Sequence, residues 1–370
     1  MKLKIKEFTR TLLINFFIFG FIFSFIEIIL SKYFLVSPAF DIPEAQVDVK
    51  KKYDTSKLEL PRDIKRSTYI RDKIGYRPYN KNLVEKGLIL TVGGSTTDQR
   101  FIDDNRTWQS NLEKELNLAV INGGVDGQTS YGHIFSIQKW HSKVLKSKEV
   151  DVIILYVGVN DRRFAKGLKS IRGNIYDSPT KLRRFRTFLS QRSFFYSKFR
   201  EVKTKLDYAL DRENEVPDGT EKIGHNIQNP NYLLKPRKSN FSMSNDNEIK
   251  PYEKLFKKLI ITSKRHFNDV SINIVQQQDP KCLISKLEDD SIYIRVSKKD
   301  FQGIDKYCAG LASIYKAQER VVKEFSDQNI NLIKMYLDNP IPDNGFYDGL
   351  HTNTLGAEYI ARYLKDQLKI

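Results

Sequence analysis

The sequence predicts a doubly wound α/β domain behind a single membrane-spanning helix, and three observations predict it. From about residue 87 onward, short apolar runs alternate with amphipathic segments, the pattern of parallel strands joined by crossover helices. The residues with chemical capability fall just after those runs, hence on one rim of the sheet. Ahead of all this stands an apolar stretch, Leu12 to Leu30.

That stretch is interrupted only by Asn15, Gly20, Ser24 and Glu27 and matches the roughly 20 residues that cross a bilayer as a helix. Lys2, Lys4, Lys6 and Arg10 precede it against Glu7 alone, so the N-terminus is expected in the cytoplasm and the rest of the chain outside. A cleaved signal peptide is the rival reading. The run is long for one and Ser37-Pro38-Ala39 is a poor cleavage site, so residues 1–36 are read as an uncleaved anchor. Glu27 lies near the outer interface, where it can pair within a complex. Residues 37–85 are polar, with Pro38, Pro43, Pro61, Pro78 and the run Lys50-Lys51-Lys52, and read as a stalk that ends by packing onto the domain. Cys282 and Cys308, the only cysteines, fall on the outer side; one disulfide or two free thiols both fit.

With 40% apolar and 12% aromatic residues the chain can fill a real core. Its net charge of +17 comes without zinc-finger spacing, an RNA-binding aromatic signature or an arginine-rich arm, so no nucleic-acid partner is expected. A solvated basic face is the plain reading of this charge, and attraction to anionic lipid or polysaccharide the functional one.

Within the domain, read as 86–370, Leu88 to Val92 is a short apolar run bounded by glycines, a buried strand. Gly93 and Gly94 let the backbone turn sharply at its end. Ser95 follows, with Thr96, Thr97 and Asp98 as helix-start residues behind it. Trp108 to Leu116 is helical in pattern and Ala119 to Ile121 is a second strand. It leads into Asn122-Gly123-Gly124-Val125-Asp126-Gly127-Gln128-Thr129-Ser130, a glycine-rich turn before a helix carrying His133 and His141. Asp151 to Val157 is almost wholly apolar, as a central parallel strand should be, and ends in Gly158-Val159-Asn160-Asp161. Ile272 to Val275 and Ile330 to Ile333 are the fourth and fifth strands, each after an amphipathic helix, and Thr354 to Leu368 closes the chain as a helix. More than a hundred residues separate Asn160 from Ile272, far more than one crossover needs. An insertion at about 165–250 is expected over or beside the site: Lys181 to Leu210 basic, aromatic and helical in pattern, Asp211 to Lys250 rich in Asn, Pro, Ser and Gly.

After the fifth strand comes Phe346-Tyr347-Asp348-Gly349-Leu350-His351. In a turn, the Asp348 carboxylate can accept from one ring nitrogen of His351 while the other faces outward, the orienting role of an acid beside a general-base histidine. Alone, such a pair is usually structural. Acyl transfer needs a nucleophile, a base and donors for a developing oxyanion. Ser95, His351 with Asp348, and the Ser95 N–H, the Gly127 N–H and the Asn160 amide supply them. Other sites fit less well. There is no Gly-x-Ser-x-Gly and the acid sits beside the histidine, against the α/β-hydrolase arrangement. Gly123 to Gly127 is not a dinucleotide fingerprint, and no Walker lysine follows a glycine loop. His133 and His141 lack a nearby third ligand and read as ordinary helix residues, so no metal is expected. Gln276, Gln277 and Gln278 follow the fourth strand on the same rim; one can line the pocket, though filling the loop is the plainer role.

Four blocks together, Gly93-Gly94-Ser95-Thr96-Thr97, the glycine turn around Gly127, Gly158-Val159-Asn160-Asp161 and Asp348-Gly349-Leu350-His351, resemble those of the SGNH hydrolase family, also called the GDSL esterase/lipase family. The resemblance runs from about residue 71, near Ile74-Gly75-Tyr76-Arg77, to 370 and is weakest across the insertion. It implies a flavodoxin-like three-layer α/β/α fold on a parallel five-stranded sheet, and a triad of Ser95, His351 and Asp348 without metal or cofactor. The family's usual Asp before the serine is Gly94 here. That is shared by a bacterial GGSTT-type subgroup often resembling enzymes that act on acylated envelope polysaccharides. Gly124 competes with Gly127 as the oxyanion glycine; the spacing to Thr129-Ser130 favours Gly127. The expected function is a membrane-anchored serine esterase, periplasmic or at the cell surface. It would remove small acyl groups, acetyl first, from an envelope glycan or a related small ester. The alternatives are an O-acyltransferase using the same triad on a polysaccharide, and an inactive scaffold or glycan-binding protein within the envelope polysaccharide machinery.

Overall fold

The computed structural model describes residues 2–33, 37–56, 58, 66–146, 149–166, 246–284, 292–295, 301–325 and 329–368, with short pieces between 181 and 238. Lys2–Tyr33 is one helix, α1. Within it Arg10–Leu30 has a mean hydropathy of 2.4 and is 0% buried in the protein, so by length and composition it can cross a membrane or serve as a signal sequence. Glu27 has an intrachain partner: its Oε2 accepts from the Phe195 N–H at 3.2 Å, and Phe195 stacks on Phe23 with ring centroids 4.8 Å apart.

Val49–Asp54 (β1) and Arg66–Arg71 (β2) pair antiparallel, and Thr220–Lys222 adds to β1 in parallel. Alternation along β2 turns Ser67, Tyr69 and Arg71 inward. Ala39, Ile42 and Tyr76, from the segment read as a stalk, are part of the domain's largest apolar cluster.

The central sheet consists of Leu88–Gly93 (β3), Ala119–Asn122 (β4), Val152–Tyr156 (β5), Ser271–Val275 (β6) and Ile330–Ile333 (β7). Neighbours are all parallel, in the order β7-β6-β5-β3-β4. Counting these strands along the chain, that is the 2-1-3-4-5 order, whose connections reverse between β3 and β5 and open a crevice there. Both faces are covered. Leu90, Val92, Ile121, Ile153, Leu155 and Ile274 point into one cluster; Ile89, Val120, Ile154, Tyr156 and Val275 point into the other.

Ser95–Asp98 (α2) and Trp108–Leu116 (α3) follow β3, and Ser130–Ser136 (α4) follows β4. Asp246–His266 (α5) and Phe301–Lys323 (α6) cover the first face with Tyr252, Phe256, Leu259, Leu311 and Ile314. Thr354–Gln367 (α7) joins α3 on the second through Trp108, Leu112, Ile360 and Leu364. The result is a three-layer α/β/α arrangement.

The strand runs legible in the sequence agree with the ladders to within one residue at each end. Gly93, Asn122 and Ser271 join because backbone pairing does not depend on hydropathy, while Asp151 and Val157 lie just outside. The helix bearing the two histidines is α4 continued by a π-helical turn, Ile137–His141. Cys282 and Cys308 form a disulfide with Cα atoms 5.4 Å apart, tying the Cys282–Ile284 segment to α6. Most of the expected insertion at 165–250 lies outside the described residues; from it, Arg237–Lys238 pairs with Ile292–Ile294.

Candidate active site

Ser95 opens α2 at the carboxyl end of β3, beside the crevice between β3 and β5. A buried ion pair holds α2 from behind. Arg71 Nη2 binds Asp98 Oδ1, and the same guanidinium donates to the carbonyls of Gly75, Asn122 and Gly124 at 3.1, 2.9 and 2.8 Å. Arg77 adds bonds to the Asp98 and Gln99 carbonyls, each 2.8 Å. Burial acts to raise the Asp98 carboxyl, but Arg71, Arg100 and Arg77 outweigh it and hold the group below its ordinary range. The buried charges are thereby fully paired, as burial demands.

His351 arrives from the opposite side of the sequence on a closed loop. A β-bridge joins Phe346 to Thr352, and the Tyr347 N–H donates to the His351 carbonyl at 3.0 Å. His351 Nε2 lies 2.8 Å from Ser95 Oγ, and Nδ1 lies 2.7 Å from Asp348 Oδ2. The second oxygen, Asp348 Oδ1, accepts from the N–H groups of Leu350 and His351 at 2.7 and 2.6 Å. Burial again works to raise this carboxyl, and the His351 ring with those two N–H groups lowers it further than burial raises it. An ionised Asp348 puts the imidazole proton on Nδ1 and leaves Nε2 to accept from the serine hydroxyl.

Asn160 stands in the 3₁₀ segment after β5 and donates through Nδ2 to the Gln128 carbonyl at 2.9 Å, and its other amide hydrogen meets no acceptor among the described residues. Gly127 has φ +70, a left-handed conformation that glycine adopts without strain. Its N–H, like that of Ser95, donates to no described residue. Gly124 is different: its N–H donates to Asn122 Oδ1 at 3.0 Å and its carbonyl accepts from Arg71, so it is committed to holding the turn. Asp161 fastens the two loops together, accepting from the Ser130 N–H and the Ser130 hydroxyl, both at 2.8 Å.

Gly94, Ser95, Gln128, Asn160, Gln277 and Leu350 are among the residues lining an open cleft of about 240 Å³; Gly127 lies one residue outside that lining. His133 also lines it, fully buried, with Nδ1 3.2 Å from Gln128 Oε1 and burial holding its pKa down to about 3. His141 is stacked against Tyr76 and Trp140, its Nδ1 3.0 Å from the Tyr76 hydroxyl, and burial, with smaller contributions from His133 and Arg71, takes it down to about 3 as well. Both are neutral, unlike a base poised near neutral pH. Among the described residues no group of three or more His, Cys, Asp or Glu side chains is placed to hold a metal ion.

Sequence reasoning missed the Arg71–Asp98 pair, the Asp161 clamp and the Gln128 carbonyl. A signal existed for two of them. Arg71 is a charge at the inward phase of an alternating strand, and Asp161 is a second polar residue directly after Asn160 at the end of a buried strand.

Solved structures of related shape include a GDSL-like lipase of Bacteroides ovatus, 14% identical with a TM-score of 0.38, aligned over 76% of this chain and 52% of that one, so this chain spans about half its length. A carbohydrate acetylesterase of Sinorhizobium meliloti is 9% identical, TM-score 0.39, over 76% of this chain and 98% of that one. The salicylyl-acyltransferase of a tetracycline biosynthetic pathway is 12% identical, TM-score 0.38, over 76% and 53%. No curated protein matches the sequence. The model of the GDSL-like lipase/acylhydrolase family matches residues 89–364, a span that starts in β3 and ends in α7 and so takes in the serine corner, both loops and the Asp348–His351 turn. The chain belongs to that family.

Proposed function

We propose that this protein is anchored in the membrane by α1, faces outside the cytoplasm, and removes small acyl groups, acetyl first, from an envelope glycan. The hydrogen-bonded line from Asp348 through His351 to Ser95 carries the reading. In it, Ser95 Oγ attacks the ester carbonyl as its proton passes to His351 Nε2. The N–H groups of Ser95 and Gly127 and the free Asn160 amide hydrogen receive the negative charge that forms on the carbonyl oxygen. Collapse breaks the bond to the sugar oxygen, which takes the proton from His351, and the acyl group stays on Ser95. Water then attacks, gives its proton to His351, and the acid leaves with Ser95 restored.

Three observations support the finer points. The cleft beside Ser95 is narrow, walled by Gly94, Gln128, Asn160 and Gln277, and a narrow cleft suits a small acyl group. The Cys282–Cys308 disulfide belongs in an oxidising compartment, which agrees with a basic flank ahead of α1. The charge of +17 attracts anionic polysaccharide. Hydrolysis is preferred to transfer onto a sugar because the His351 side chain is 27% exposed, so water has access to the acyl-enzyme.

The test uses full-length protein in detergent with an aryl acetate. Wild type should release acetate and Ser95→Ala should not; equal rates for the two would favour an inactive scaffold. Repeating the reaction with sugar acceptors separates the remaining pair, since acetylated acceptor among the products would establish a transferase.

A further inference from the structure

Buried glutamines in this domain bond through their amides to backbone or to hydroxyls of other elements. Gln276 Nε2 donates to the Tyr315 carbonyl at 2.8 Å, and Gln318 Nε2 to the Tyr252 hydroxyl at 2.9 Å. Gln278 donates to the Ile341 carbonyl and accepts from the Ile341 N–H, at 2.7 and 2.9 Å. Gln99, Gln109 and Gln128 are likewise bonded through their amides. Gln277 breaks the pattern. It is 3% exposed, yet its Nε2, unlike theirs, bonds to no described residue, and its Oε1, like those of Gln109, Gln276 and Gln318, is buried without a partner, so neither end of this amide is answered. It is also held still: its carbonyl accepts from the Tyr315 hydroxyl at 2.6 Å, and the preceding Gln276 N–H donates to the Ile333 carbonyl at 2.9 Å. Gln277, its backbone held and its amide unanswered, lines the same cleft as Ser95 and Asn160. An unpartnered buried amide is costly to keep, and one set rigidly in the wall of a reactive cleft is placed to be answered by whatever enters.

We infer that Gln277 reads the acyl group of the substrate, its amide exchanging hydrogen bonds with a hydroxyl carried on a short acyl chain. The inference rests on the esterase reading above and refines it: a hydroxyacyl ester is preferred over a hydrocarbon acyl ester of the same size, and acetyl is accepted without being the best fit. The acyl side of the ester is favoured over the sugar because the amide is recessed at the carboxyl end of β6. On this reading the acyl chain on the Ser95 carbonyl is the part of the substrate directed toward the buried Gln277, and the sugar ring stays at the mouth. A hydroxyl both donates and accepts, so it answers both ends of an amide, which a keto oxygen or a methyl group does not.

The test compares the 4-nitrophenyl esters of glycolate and propionate, which differ by a hydroxyl in place of a methyl. Full-length protein in detergent is assayed as wild type, Gln277→Leu and Gln277→Met, and the ratio of the two kcat/KM values is taken within each protein so that intrinsic ester reactivity cancels. The glycolate-to-propionate ratio should fall about tenfold in both variants, the value of roughly one net hydrogen bond. Both variants should melt no lower than wild type, because the replaced amide holds nothing in the fold. An unchanged ratio in folded variants overturns the inference while leaving the esterase intact. If wild type hydrolyses neither ester, the esterase reading itself has failed. Binding of glycolamide against propionamide, followed by ligand-observed NMR, then decides: tighter glycolamide binding that is lost in Gln277→Leu supports the role, and no difference between the two amides removes it.

Discussion

A Cβ added to Gly94 would stand 2.6 Å from Asn160 Nδ2, inside any real carbon-to-nitrogen contact. The two residues are fitted to each other: the amide occupies the space that a side chain at position 94 would need. Asn160 has little room to retreat, since one of its amide hydrogens is already bonded to the Gln128 carbonyl at 2.9 Å. This gives the glycine before the serine, where the family more often carries Asp, a physical role.

Gly94→Ala should therefore act through Asn160. The backbone at residue 94 has φ −89, which alanine accepts, so the fold should survive. The displaced amide would no longer meet the oxyanion, and kcat should drop by roughly 10²-fold or more, as on losing one such donor. Asn160→Ala should fall by a similar ~10²–10³-fold. The double variant should be little worse than the poorer single one, because both changes remove the same donor. Multiplicative losses in the double variant, with all proteins folded by circular dichroism, would show that Gly94 acts by another route.

Ser95 and His351 should likewise behave as one unit. Ser95→Ala and His351→Ala should each lower kcat by roughly 10⁴–10⁶-fold, and the pair together should cost no more than either alone. Asp348→Asn should keep the loop but present the wrong tautomer to Ser95, with a loss of about 10⁴-fold. Steady-state kinetics on the same aryl acetate checks all four proteins. A fully active Asp348→Asn would mean that His351 is oriented by its loop alone.

How much of this could be read from the chain follows from which forces leave a local trace. Buried parallel strands are apolar on both faces, so Val152–Tyr156 and Leu88–Gly93 were legible as uninterrupted runs. Ser95, Asn160 and the Asp348–His351 turn were legible because each directly follows a strand or a turn of clear composition. The order of the strands was not, since it is set by how crossovers pack and not by any residue. Neither was the Arg71–Asp98 pair, whose members lie 27 positions apart and whose charges suggest solvent until tertiary structure buries them. The partnering of Cys282 with Cys308 was left open for the same reason: spacing alone does not distinguish a disulfide from two thiols.

That disulfide makes a measurable prediction. It closes a loop with a sequence separation of 26, for which restriction of the unfolded chain gives a stabilisation of about 3.5 kcal/mol. Reduction under native conditions, or the paired change Cys282→Ala with Cys308→Ala, should lower the urea midpoint accordingly while leaving Ser95 and His351 in place. Two titratable thiols in the folded protein purified without reductant would contradict the pairing and would also weaken the case for an oxidising compartment.

The last prediction concerns acid. His133 and His141 are buried with pKa values held down to about 3, against about 6.5 for a histidine in an unfolded chain. Between those two values the unfolded state binds a proton that the folded state does not. Stability therefore rises with pH through this window and is lost as pH falls from about 6.5 toward 3. Each histidine should remove about 2 kcal/mol between pH 7 and pH 5. Urea unfolding at the two pH values measures the drop. His133→Asn gives up the ring that meets Gln128 Oε1, and His141→Asn gives up the stack with Tyr76 and Trp140. Both should be less stable than wild type at pH 7, which any packing role would produce. The distinguishing readout is the slope. Each variant should lose less on going to pH 5, by about 2 kcal/mol, because the group that must be protonated is gone. A variant that is weakened at pH 7 but keeps the whole wild-type drop would show that its histidine takes up a proton in the fold as readily as in the unfolded chain, and for His133 that would put a positive charge in the wall of the cleft at pH 5.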